Sequence, residues 1–201
     1  MNRKLTVILA AGDFPKQGGQ AWNILSHADR IIACDRAGDL AKARGFKNVI
    51  AVGDGDSGQV DVKVSEQQTN DLEKAYRYAL VHPLDGSEEL VILGATGKRE
   101  DHTLGNIFRA LEWGVMLVSD YGRFHPVAPG PVPSVIETEK GAGVSVFAPD
   151  PATRMESEGL AWPLDGVRFD NLYCATLNRA LGNRIMVKTD RKAMVYVADA
   201  E

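Results

Sequence analysis

The chain has 201 residues, 44% of them apolar, with 23 Lys and Arg against 27 Asp and Glu and a formal net charge of −4. This composition excludes a disordered chain, and the length allows one large domain or two small ones. A negative balance with no long basic run argues against a nucleic-acid surface, and no apolar run is long enough to span a membrane.

In chain order, residues 5–10 read as a first β-strand. Arg3-Lys4 ahead of them faintly resembles the start of a signal peptide, but the apolar run is short and passes straight into Asp13-Phe14-Pro15. Residues 21–27 have helical character. Residues 31–34 form a second apolar strand ending at Asp35, and residues 40–44 a short helix stopped by Gly45, where a left-handed cap is expected. Residues 49–52 are a third buried strand, broken by Gly53-Asp54-Gly55-Asp56-Ser57-Gly58; Val60, Val62 and Val64 then alternate with polar residues. From Asp71 the period becomes helical, with Leu72, Ala75, Tyr76, Ala79 and Leu80 on one face and Thr69 or Asn70 placed to cap it. Residues 90–93 are another buried strand and residues 94–101 a polar loop. Leu104, Ile107, Phe108 and Leu111 mark a further amphipathic helix, and residues 115–119 close the series. Strands and helices alternating at this spacing predict an α/β domain: a largely parallel sheet flanked by helices, with its loops grouped at one end.

Composition then changes. Pro126, Pro129, Pro131 and Pro133 fall within residues 124–133, which no helix and no central strand tolerates, so the stretch reads as a domain boundary. After it come short β-like runs at 134–136, 143–147, 172–177, 184–187 and 193–197, the pattern of a small antiparallel β-sandwich. The domains are therefore placed at residues 1–125 and 134–201. A second domain of about 65 residues has a thin core and is expected to lean on a neighbour or a second subunit. Cys34 and Cys174 lie far apart in apolar runs and are expected as buried free thiols of a cytoplasmic protein.

The polar residues concentrate at strand and helix ends. Asp35, Asp54, Asp56, Thr69-Asn70-Asp71 and Lys98-Arg99-Glu100-Asp101-His102 all occupy such positions, which in a parallel sheet converge on one rim. Asp54 and Asp56 on a glycine loop repel each other unless a cation lies between them, and hard oxygen ligands suit Mg²⁺, which usually accompanies a substrate phosphate. An isolated Asp-Gly-Asp is as readily a turn with solvated carboxylates. With Lys74, Lys98 and Arg99 nearby, however, the set combines carboxylates for a metal with cations for phosphate oxygens, as phosphoryl transfer requires. Two other nucleotide motifs fail. Residues 53–58 formally fit Gly-Xaa-Gly-Xaa-Xaa-Gly, which would suggest a dinucleotide oxidoreductase, but an alternating Val run follows instead of a helix, and two bare aspartates would repel a pyrophosphate. In Gly94-Ala95-Thr96-Gly97-Lys98-Arg99 the first glycine is too close for a Walker loop, and Arg99 stands where a hydroxyl would hold the metal.

Taken together, several segments resemble the thiamine pyrophosphokinases (thiamine diphosphokinases). They are Asp35 after a buried strand, Gly53-Asp54-Gly55-Asp56-Ser57, Glu66-Gln67-Gln68-Thr69-Asn70-Asp71-Leu72-Glu73-Lys74-Ala75, the run from Gly94 through Asp101-His102 to Asn106, and, further on, Gly159-Leu160-Ala161-Trp162-Pro163-Leu164 and Thr176-Leu177-Asn178. The resemblance covers nearly the whole chain. It implies a catalytic α/β domain that binds ATP and Mg²⁺, a β-sandwich that binds thiamine, and a homodimer with active sites at the subunit interface. The implied reaction transfers the pyrophosphoryl group of ATP to the thiamine hydroxyl and releases AMP. Two departures stand out: Arg36-Ala37-Gly38 follows Asp35 where the family often has a Gly-rich run, and Leu177 replaces a serine.

Combined with the resemblance, the residues suggest roles. Asp54 and Asp56 would hold Mg²⁺, with Asp71 and Asp101 completing the metal shell, and Asp71 or Asp101 would orient the substrate hydroxyl. Lys74 and Arg99 would bind phosphate oxygens, with Asp35, Ser57, Thr69 and Lys98 also in the ATP site. Trp162 and Asn178 would contact thiamine. The alternative from another class is a non-catalytic vitamin or nucleotide sensor on the same fold, which would not need the carboxylates.

Overall fold

The computed structural model describes residues 3–199, and the chain divides into two compact units. The first holds the described residues through Ile107 together with Leu117–Asp120; the second holds Phe108–Met116 and the described residues from Tyr121 onward.

The first unit contains β1 (Lys4–Leu9), α1 (Gln20–Ser26), β2 (Arg30–Cys34), α2 (Arg36–Ala43), β3 (Val49–Gly53), β4 (Val62–Lys63), α3 (Asp71–Val81), β5 (Glu88–Leu93), the start of α4 (Glu100–Trp113) and most of β6 (Met116–Ser119). Its strands lie in the order β6-β5-β1-β2-β3-β4. β1 pairs in parallel with both β2 and β5, placing Val7 beside Ile31 on one side and Val91 on the other, and β2 pairs in parallel with β3. Every residue of β2 is buried, as expected where a parallel sheet is covered on both faces. Helix α2 lies so close to this sheet that a Cβ on Gly38 would stand 2.7 Å from that of Ala51, which is why a helix interior carries glycine here. The alternating Val60, Val62 and Val64 contribute only the two-residue β4. Asn70 caps α3, its side chain accepting a hydrogen bond from the Glu73 amide. The buried face of α3 is Leu72, Lys74, Ala75 and Ala79, whereas Leu80, expected in the core, is exposed.

The second unit is a β-sandwich built from β7 (Gly122–Val127), β8 (Ser134–Glu137), β9 (Gly143–Phe147), β10 (Met155–Glu158), β11 (Ala175–Arg179), β12 (Arg184–Thr189) and β13 (Ala193–Ala198). One antiparallel sheet runs β11-β9-β13-β7 and the other β10-β12-β8. Alternate residues of both sheets meet in one core, among them Val146 and Val195 from the first and Ile136, Met155 and Val187 from the second. Two strands were not expected from sequence. β7 runs through Pro126, which stands opposite Met194 in the ladder with β13; an antiparallel ladder asks for an inward N–H only at every second residue, so one proline need not interrupt it. The edge strand β10, Met-Glu-Ser-Glu, buries only Met155 and so carries no apolar alternation. Both cysteines are free, Cys34 buried as expected but Cys174 exposed, because residues 172–174 precede β11 rather than belonging to it. Among the described residues no helix is long and apolar enough to cross a membrane.

Candidate active site

Strand order reverses at β1, whose neighbours β2 and β5 lead to opposite edges of the sheet. A ligand crevice is expected beyond the carboxyl ends of strands at such a point. A cleft of about 330 Å³ lies there, lined by Ala10–Gly12 after β1, Cys34 at the end of β2, Asp54 after β3, the first turn of α3 and the loop after β5. The loops after β1 and β5 are interlocked: the Gly12 amide donates to the Gly94 carbonyl and the Asp13 amide to that of Thr96. Glycine is required at both contacts, since a Cβ on Gly12 would stand 2.4 Å from the Thr96 oxygen and one on Gly97 2.0 Å from the Asp13 carboxylate.

Within the first unit, Asp35, Asp54 and Asp71 each present an oxygen within 4.8 Å of the others. Asp35 is 1% exposed and has φ +30°, a conformation costly for a non-glycine residue, and its Oδ1 is buried without a hydrogen-bond partner. Its Oδ2 accepts from the Ser57 hydroxyl at 3.3 Å. Burial pushes the Asp35 carboxyl above the usual carboxylate range, and the charge of Asp71 adds to the effect. Lys74, buried in α3, donates to Asp71 Oδ1 at 2.9 Å and to Asp54 Oδ2 at 3.1 Å. Burial alone would lower the Lys74 pKa, but the hydrogen bonds and charges of Asp71 and Asp54 outweigh it and hold the ammonium above its ordinary value. The Lys74 ammonium in turn holds Asp54 below the ordinary carboxylate value, with help from the Asp56 amide. If all three carboxylates carry their charge, one ammonium leaves the set at a formal −2. An orphaned buried carboxylate oxygen in a set of hard donors with that charge fits one divalent cation of the Mg²⁺ type.

The remaining expected residues take distinct places. Asp56 is exposed and outside this trio; its amide donates to Asp54 Oδ1 at 3.2 Å. Asp101 is also outside it, both carboxylate oxygens held by Arg99 at 2.9 and 2.6 Å, and this pairing holds its pKa well below the carboxylate range. Arg99 and Thr69 line the cleft, although the Thr69 hydroxyl is engaged by Glu66 at 2.5 Å. Lys98, at φ +56°, also lines it and reaches back to the Ala11 carbonyl. In the second unit Trp162 is 60% exposed, while Asn178 is buried and bonded to the Trp162 backbone. Sequence reasoning missed Gln67, whose amide donates to Asp54 Oδ2, and Asn106, which donates to the Ala95 carbonyl and fixes the loop after β5. Both lie inside the segments quoted above, but nothing in their spacing singles them out.

Two family models match: "Thiamin pyrophosphokinase, catalytic domain" over residues 21–116 and "Thiamin pyrophosphokinase, substrate-binding domain" over residues 122–196. The chain belongs to the thiamin pyrophosphokinase family. The family's activity, thiamine pyrophosphorylation, is the activity of this enzyme, and thiamine and ATP are the substrates it implies. Solved structures with the same fold include the thiamine pyrophosphokinase from Bacillus subtilis, at 21% identity and TM-score 0.76, covering 98% of this chain and 100% of that one. The thiamin pyrophosphokinase from Geobacillus thermodenitrificans has 19% identity and TM-score 0.78, with 98% of each chain covered. That from Candida albicans has 12% identity and TM-score 0.79, covering 98% of this chain and 90% of its own. No curated protein matches the sequence.

Proposed function

We propose that the cleft of the first unit binds ATP with Mg²⁺ and that the sandwich presents thiamine through Trp162. The observation that carries the metal assignment is the trio Asp35, Asp54 and Asp71 around the partnerless Asp35 oxygen. These three would hold Mg²⁺, which when bound neutralises charge on the phosphate oxygens. Asp56 and Asp101, also expected in the metal shell, act in this reading through Asp54 and Arg99 respectively.

In the reaction the thiamine hydroxyl oxygen forms a bond to the β-phosphorus of ATP, the bond from that phosphorus to the bridging oxygen of the α-phosphate breaks, and AMP leaves with that oxygen. The hydroxyl proton passes to a carboxylate. Asp71 serves this better than Asp101, whose oxygens are both occupied by Arg99. Lys74 keeps Asp54 and Asp71 in place, and Arg99 and Lys98 at the cleft bind phosphate oxygens and stabilise the charge that develops on the leaving AMP. The indole of Trp162, largely exposed, offers a face to the cationic thiazolium or the flat pyrimidine.

The proposal extends to a cytoplasmic homodimer. Its support is the large apolar side chains that the second unit leaves exposed, Leu172, Tyr173, Leu177 and Leu181, and the buried free thiol of Cys34. Product analysis tests the catalytic reading: thiamine, ATP and Mg²⁺ should yield AMP and thiamine diphosphate, and chelation of the metal should stop turnover. Formation of ADP would indicate an ordinary kinase, and binding without turnover a sensor. Sedimentation at micromolar concentration tests the dimer.

A further inference from the structure

The indole of Trp162 is 60% exposed, so little packing holds it, and its placement must come from its backbone. Residues 159–161 run antiparallel beside residues 179–181: the Ala161 amide donates to the Arg179 carbonyl, the Leu181 amide to that of Gly159, and Leu160 bridges Ala180. At the next step this ladder is continued by a side chain. Asn178 Oδ1 accepts from the Trp162 amide at 3.1 Å, and Asn178 Nδ2 donates to the Trp162 carbonyl at 2.6 Å. The carboxamide thus offers Trp162 the donor and acceptor that a neighbouring strand would offer.

The backbone of β11 explains why a side chain is needed. Ala175 stands opposite Val146 and Asn178 opposite Val144, so three steps along β11 match two along β9. The extra residue is absorbed near Leu177, which takes φ +60° and is 85% exposed. This bulge turns Leu177 outward and Asn178 inward, where it is 4% exposed. Asn178 Oδ1 also accepts from the Arg179 amide at 2.8 Å, so both lone pairs of the oxygen are used; of the two amide N–H groups one is committed to the Trp162 carbonyl, so Asn178 keeps no acceptor for a ligand.

We infer that Asn178 is a positioning residue that fixes the Trp162 platform, and not an acceptor that binds thiamine itself. The inference rests on the reading of Trp162 as the thiamine platform, and a double-mutant cycle separates the two. Thiamine affinity is measured by calorimetry, with Mg²⁺ and a non-hydrolysable ATP analogue present, for the parent, Trp162→Ala, Asn178→Ala and the double variant. Asn178→Ala should weaken thiamine about tenfold, the loss expected for two hydrogen bonds, but should cost nothing further once Trp162 is gone. The KM for thiamine should rise while that for ATP stays within about twofold. With Trp22 and Trp113 replaced by Phe, the fluorescence anisotropy of Trp162 should fall in Asn178→Ala. Asn178→Asp, which keeps the acceptor and loses the donor, should fall between; it carries the same cycle if the alanine variant does not fold. Losses that multiply in the double variant would make Asn178 a direct ligand and overturn the inference alone, as would unchanged affinity and anisotropy in Asn178→Ala. Intact thiamine binding in Trp162→Ala would instead overturn the platform reading, and the inference with it.

Discussion

The carboxylate of Asp35 lies against the α-carbon of Gly53: a Cβ built on Gly53 would stand 1.6 Å from Asp35 Oδ1. Gly53 is the last residue of β3, so the end of one strand must lack a side chain for the acidic residue at the end of its neighbour to reach the site. Asp35 is confined by burial and by its positive φ and has little freedom to step aside. Gly53→Ala should therefore displace the carboxylate without adding a polar or charged group. A shift of about 1 Å in a positioned group can cost about a hundredfold in rate. We expect kcat to fall on that scale, and the Mg²⁺ concentration for half-maximal activity to rise, with the fold retained by circular dichroism. Unchanged kcat in a folded Gly53→Ala enzyme would contradict the placement of Asp35 in the site.

The aspartates after β3 should separate on substitution. Asp54 belongs to the trio and accepts from Lys74, whereas Asp56 offers it only a backbone amide, which a side-chain change leaves in place. Asp54→Asn should lower turnover by about a hundredfold, the cost of losing one preorganised electrostatic group, and Asp56→Asn by much less. Mg²⁺ titrations of initial rate for both variants provide the comparison. Equal losses would draw Asp56 into the metal shell.

At the opposite ends of the same strands, Arg30 opens β2 and Glu88 opens β5 on either side of Thr6 in β1. The guanidinium donates to Glu88 Oε1 at 2.8 Å, to the Thr6 hydroxyl at 3.2 Å and to the His82 carbonyl. Both side chains are largely buried. Removing one partner of a buried ion pair leaves the other charge uncompensated and costs about 3–5 kcal/mol. Glu88→Gln, which keeps an acceptor, should lie at or below the lower end of that range. Denaturant unfolding should show the loss, while kcat and KM of the folded fraction stay unchanged, because the clamp lies at the end of the sheet away from the cleft.

What could be read from the sequence follows from what each element buries. β1, β2, β3 and β5 stand inside a parallel sheet, so each is a continuous apolar run that sequence alone reveals. β10 buries only Met155, and β7 contains a proline, so neither carried a legible pattern. Helix α3 was found, but its inward face was set too far toward Leu80. The position that Lys74 occupies in the interior is made tolerable by Asp54, twenty residues away, together with Asp71, and no periodicity encodes that compensation. The same holds for the site. Its residue types and their gathering on one rim were readable, but the grouping of Asp35 with Asp54 and Asp71 depends on the missing side chain at Gly53 and on the Ser57 hydroxyl. For Asn178 the short motif marked its importance, while only the bulge at Leu177 shows which way it turns.

Acid stability should depend on His125 in β7. Its Nε2 is buried without a hydrogen-bond partner, and burial, with the charge of Arg123 adding to it, lowers its pKa to about 4. In an unfolded chain the imidazole titrates near its ordinary value of about 6.5. Between those two values the unfolded chain binds a proton that the folded protein refuses, so stability rises with pH across this window. The contribution is fully present above about 6.5 and is lost as pH falls toward 4; a shift of this size sets its ceiling at about 3 kcal/mol. His125→Asn removes the titrating group while keeping a polar side chain of similar reach. The parent's melting temperature should therefore fall more steeply than the variant's between pH 6.5 and 4, and the two profiles should run parallel above pH 7. Carboxylates such as Asp29 and Asp61, held below their ordinary values by backbone amides and lysines, lose their contributions at still lower pH in both proteins and cancel in the difference. Parallel profiles throughout the window would show that His125 accepts its proton in the folded state as readily as in water, and that the imidazole is not sequestered in β7.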